Sequence, residues 1–112
     1  MAMEPVPNQA EVGGAAYVLH LYISGATPNS ARAVHHLRDI CERYLPGRYD
    51  LQIIDLYQQL ELAKAARIIA APTLVAHWQG QTRQLIGDLS DRRRVLLLLG
   101  ITPAANDPYV HG

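Results

Sequence analysis

Disulfide exchange needs a thiolate and ordinarily a second sulfur to resolve the mixed disulfide. The chain offers one cysteine, Cys41. It falls among the apolar positions of a helical stretch, where a cysteine serves as a small inert hydrophobe. An internal disulfide is excluded, so no oxidising compartment is required. The run Thr27-Pro28-Asn29-Ser30 carries hydroxyls, but a hydroxyl is a weak nucleophile without an adjacent base, and the local sequence supplies none. Ser30, near a helix start, can still hydrogen-bond a bound thiolate, because unpaired amides there favour negative charge. That keeps a glutathione-dependent enzyme as an alternative. Against it stands the expectation that the chain ends before the helical domain such enzymes add, and Ser30 also reads as an ordinary first-turn residue.

Five histidines raise metal binding. His35 and His36 are neighbours on a helix and point about 100° apart, which is no pincer. His20 lies mid-strand, His77 near a hairpin and His111 close to the C-terminus. No zinc-type spacing of Cys or His is present, and neither a metal nor another cofactor is expected. Arg92-Arg93-Arg94 invites a nucleic-acid reading, yet the net charge is +0 and a solvated helix face explains the run. Asp88 and Asp91 offset part of its conflict with the helix dipole. A phosphate-cradling glycine loop is absent as well.

These residues must be positioned by one domain, since 112 residues support a single modest core. Hydrophobic residues make up 49% and charged residues 18%, the balance of a globular chain. No apolar run reaches the roughly 20 residues that cross a bilayer. The opening MAMEPVPNQAEVGGAA has neither a basic leader nor an apolar block, so a cytoplasmic protein is expected. Residues 1–15 and 102–112 read as tails with too little apolar surface to offset ordering entropy. The domain is placed at residues 16–101.

Within it, AYVLHLYIS predicts a strand with Leu19, Leu21 and Ile23 on one face and Val18, His20 and Tyr22 on the other. Gly25 ends the strand; Thr27 can cap a helix and Pro28 suits its first position. From there to Leu45 an apolar arc of Ser30, Ala33, Val34, Leu37, Ile40, Cys41, Tyr44 and Leu45 opposes a charged one, the pattern of a helix lying on a core. YDLQIIDL predicts a second strand, QQLELAKAARII a short helix, and PTLVAHW with TRQLIG a hairpin across Gln79-Gly80-Gln81. Ser90 can cap a last helix that Gly100 closes. The order β-α-β-α-β-β-α implies a mixed four-stranded α/β sheet with helices on both faces.

That order, with Ala71-Pro72-Thr73 before the third strand and Gly87 after the fourth, resembles the thioredoxin fold. The resemblance implies a cis Ala71–Pro72 bond and architectural roles for Thr27, Pro28, Pro72 and Gly87. It also places the run SGATPNSARA where thioredoxins carry two cysteines. More narrowly, YVLHLYISGATPNSARA, LQIIDLYQQLELAKAARIIAAPTL and RQLIGDLSDRRRVLL closely resemble the KaiB family, the thioredoxin-like component of the bacterial circadian clock. The resemblance implies a non-enzymatic protein that docks on a KaiC-type ATPase ring and alters its phosphorylation cycle. Related sensor domains recognise the same ring. It assigns docking to the second strand and the charged face after it, with Asp50, Gln52, Lys64 and Arg67 as candidates. A KaiB-like adaptor in stress response or signalling, outside any clock, is the alternative role.

Clock members resemble one another in exchanging this fold for a second packing of the C-terminal half. Their last helix often carries Gly and Asp where this chain has Leu98 and Gly100. Four consecutive leucines favour helix over a glycine-containing segment by about 1 kcal/mol, so the thioredoxin-like form is the expected one. A helix over a sheet buries one stripe, whereas Val95–Leu99 is apolar all round. Leu96, Leu98 and Leu99 are therefore the candidates for a surface of self-association, as dimer or tetramer, or of partner contact.

Overall fold

The computed structural model describes residues 16–65 and 71–111. Strands β1 (Tyr17–Ile23), β2 (Tyr49–Asp55), β3 (Thr73–Trp78) and β4 (Gln81–Ile86) form one sheet in the order β2-β1-β3-β4. β1 runs parallel to β2 and antiparallel to β3, and β3 pairs antiparallel with β4. The parallel pair requires a crossover, which α1 (Pro28–Tyr44) supplies. α2 (Leu60–Ala65) follows β2, α3 (Arg92–Leu98) follows β4, and a short α4 (Pro108–His111) lies near the C-terminus. The β3–β4 hairpin turns at Gln79 and Gly80, both with positive φ (50° and 72°), the mirror-image turn that matches strand twist.

The core sits between one sheet face and two helices. Leu19 and Leu21 of β1 and Leu74 and Ala76 of β3 meet Ala33, Leu37, Ile40 and Cys41 of α1 and Val95 and Leu96 of α3. The predicted arc of α1 is the buried one, with Val34 and Tyr44 only partly covered. On the opposite face Tyr22, Ile54 and Val75 make a smaller cluster with Leu56.

Two features of the C-terminal half differ from the sequence reading. α3 is capped by Asp91, whose side chain accepts from the Arg94 N–H at 3.2 Å, not by Ser90. Ser90 is one residue too early, and its own N–H donates to the Asp88 carboxylate at 3.0 Å. The leucine run is also assigned differently. Leu96 and Leu99, expected on an outer surface, are fully buried, and Leu98 is partly buried. The exposed one is Leu97, at 54%. The 3.6-residue turn puts Leu96 and Leu99 on one stripe, and that stripe faces the sheet.

Residues past Gly100 pack as well. Ile101, Tyr109 and Val110 lie against the main cluster. The Tyr109 ring sits between the guanidiniums of Arg43 and Arg92, at 4.1 and 4.2 Å. Arg92 also donates to the Tyr109 carbonyl at 2.8 Å, and the Tyr44 hydroxyl donates to Asp107 at 2.6 Å. Cation–π contacts of about 0.5–1 kcal/mol each add to the apolar contacts of this segment. Residues 1–15 lie outside the described residues.

Candidate functional site

The start of α1 is the position at which the sequence raised chemistry. Thr27 is the N-cap, its hydroxyl accepting from the Ser30 N–H at 3.3 Å, and Pro28 occupies the first turn. The Ala71–Pro72 bond is cis. Ser24, Thr27, Pro28, Asn29 and Ala71 line an open depression of about 340 Å³ between these segments. The Gly87 N–H donates to the Pro72 carbonyl at 2.9 Å. Ser30, the one hydroxyl considered for a bound thiolate, is buried and accepts from the Ser24 N–H at 3.1 Å. Its oxygen serves the loop. Among the described residues the lining of the depression offers the hydroxyls of Ser24 and Thr27 and no thiol.

Cys41 is fully buried in the main cluster. Burial, then the charge of Glu42, pushes its thiol up to about 12. A thiol held that high presents almost no thiolate near neutrality. Folded protein at pH 8 is therefore expected to resist Ellman's reagent, with one equivalent reacting rapidly once denaturant is added. Fast labelling of the native chain would show that Cys41 is accessible.

The histidines divide by environment. His36 shares a hydrogen bond of 2.8 Å with the Asp88 carbonyl, and its ring lies 5.9 Å from that of His35. His20 and His77 face each other across β1 and β3. Partial burial lowers the pKa of His20, the charge of His77 lowers it further, and Asp50 opposes both. Among the described residues no group of three or more His, Cys, Asp or Glu is placed to hold a metal. Of the arginine run, Arg92 is committed to Tyr109.

The remaining surface is built by β2 and the segment after it. β2 is an edge strand, with one row of backbone groups unpaired by the sheet. Asp50 and Gln52 are exposed on the face opposite α1, and Lys64 is exposed in the last turn of α2. Arg67 lies outside the described residues. The structure adds two residues that sequence reasoning passed over, Tyr57 at 79% and Leu60 at 53% exposure. Asp55 shapes this connection, its carboxylate accepting from the N–H groups of Tyr57 (2.9 Å) and Gly25 (3.3 Å). The available signal was LYQQL, where apolar residues stand among polar ones without a strand or helix period. An edge strand with acidic, basic and apolar side chains beside it can recognise a protein surface.

A family model described as the KaiB domain matches residues 20–101. The chain belongs to the KaiB family. It is 48% identical over 85 residues to the circadian clock oscillator protein KaiB of Prochlorococcus marinus (strain MIT 9313), spanning 76% of this chain and 71% of that one. Its identity to the KaiB of Nostoc punctiforme is 46% over 85 residues, 76% of this chain and 82% of the relative. Among solved structures it is similar to the N-terminal domain of Synechococcus elongatus SasA, with a TM-score of 0.63 and 21% identity over 93% of this chain and 97% of that one. The germline thioredoxin Deadhead of the fruit fly gives a TM-score of 0.65 at 13% identity, covering 81% and 85%. These structural likenesses establish the thioredoxin-like fold. KaiB-family membership places the β2 edge and the α1 depression on a fold shared with circadian clock proteins, and here the depression holds no cysteine. No helix among the described residues is long and apolar enough to cross a membrane.

Proposed function

We propose that the chain is a non-enzymatic, cytoplasmic regulator that docks on a KaiC-type ATPase ring and modulates its phosphorylation cycle in circadian or diurnal timing. The observation that carries this reading is the family match across residues 20–101. The open β2 edge supports it, with Asp50, Gln52 and Lys64 exposed and Tyr57 and Leu60 beside them. Arg67, from the same stretch of sequence, is included in the docking set. The thioredoxin-like arrangement is the form proposed to bind. Self-association as a dimer or tetramer belongs to the same reading.

Binding to a purified KaiC-type ring, measured by biolayer interferometry, tests it. Saturable binding is expected at or below tens of micromolar. Asp50→Lys and Arg67→Glu are each expected to weaken it about tenfold, roughly 1.4 kcal/mol, as central charged contacts do. An exposed substitution on the other side, Leu97→Ala, should leave it unchanged. No binding at those concentrations would favour a KaiB-like adaptor acting outside a clock.

A further inference from the structure

The face of the sheet that carries Asp50 also carries a pair of imidazoles that docking does not use. His20 on β1 and His77 on β3 lie diagonally across the antiparallel pair, since His20 is opposite Val75 and His77 opposite Val18. Their ring centres are 5.5 Å apart with planes at 72°. Asp50 is in the same row as Val18 and His77, one strand further along. With Zn–N bonds of about 2.0–2.1 Å, and each ring centre about 1 Å behind its nitrogen, two imidazoles sharing one ion place their centres roughly 5–6 Å apart. The observed spacing falls in that interval without any strand movement.

The pair is also partly preorganised. Nδ1 of His77 lies 2.9 Å from the Thr82 hydroxyl, its cross-strand neighbour on β4. When that nitrogen donates to Thr82, Nε2 is left with a free lone pair, the outer-sphere arrangement typical of ligating histidines. Strands hold the two side chains at fixed register, which a loop would not. Both rings are partly exposed, so an ion can reach them and water can complete its coordination. Imidazole nitrogen suits zinc, nickel and copper more than calcium or magnesium.

The geometry points to a surface site for one divalent transition-metal ion, held by His20 and His77 with Asp50 supplying nearby negative charge. The site requires no ATPase partner, so its test is independent of the docking reading. Zinc chloride titrated into the full chain, followed by calorimetry, is expected to show one ion per chain with a dissociation constant in the micromolar range. His20→Gln and His77→Gln are each expected to weaken binding at least tenfold. His35→Gln, which removes a ring from the other histidine pair, should leave it unchanged. Circular dichroism of each variant establishes that it is folded, and the imidazole proton resonances of His20 and His77 should shift on zinc addition. Absence of saturable binding up to millimolar zinc would overturn the assignment. So would binding that survives both strand substitutions, or binding lost with His35.

Discussion

Gly100→Ala is expected to destabilise the fold by about 2–4 kcal/mol, a large share of the stability of a domain this size. Two penalties combine. Gly100 has φ of +73°, where a side chain costs about 1 kcal/mol or somewhat more. A Cβ there would also stand 2.4 Å from Cη2 and 2.9 Å from Cζ2 of Trp78. The indole is not free to move aside. Its Nε1–H donates to the Leu98 carbonyl at 3.2 Å, and its ring packs 5.8 Å from that of Tyr17. The Tyr17 hydroxyl in turn donates to the Leu99 carbonyl at 3.1 Å. Swinging Trp78 out would break this link between β1, β3 and the end of α3, an overpacking cost of about 1–3 kcal/mol. Urea unfolding followed by emission of the single tryptophan measures the loss. Gly80→Ala isolates the backbone part, because Gly80 has φ of +72° and nothing within 4 Å of an added Cβ. Equal losses at the two positions would remove the Trp78 contact from the account.

The sequence made the sheet and α1 legible because their signals are local. Period two in YVLHLYI sorts its residues onto two faces, and the apolar arc from Ala33 to Leu45 names the face that α1 buries. Thr27-Pro28 likewise marks a helix start by chemistry that acts within one turn. The KaiB relationship was legible too, through runs such as TPNSARA and IGDLSDR. What escaped depends on partners far along the chain. Tyr109 is ordered by Arg43 and Arg92, residues with no pattern linking them to it. The His20–His77 pairing needs the β1–β3 register, and periodicity within one strand does not specify the register with another. Tyr57 falls between the predicted second strand and the helix predicted from Gln58, and Leu60 lies in the first turn of that helix; both stand out only once Asp55 has fixed the turn that carries them.

Leu96→Ala and Leu97→Ala are expected to separate sharply, although the residues are identical neighbours. Leu96 is fully buried against the sheet in the main cluster. Its truncation removes buried methyls and leaves a cavity, at about 2–4 kcal/mol. Leu97, at 54% exposure, gives up little buried area, and alanine is the better helix former, so its change should stay within about 0.5 kcal/mol. Thermal or urea unfolding of the two variants, compared with the parent, reads the difference directly. The physical reason is one turn of geometry: about 100° of rotation carries the side chain from sheet to solvent. The same argument limits what α3 can contribute to association. If only Leu97 is substantially free, with Leu98 half-covered, the helix presents one apolar side chain and not a stripe. Such a contact is too small to hold a dimer alone at standard interface sizes. Equal losses for the two variants would mean that α3 is rotated or covered in solution, and would return the leucine run to the candidates for an association surface.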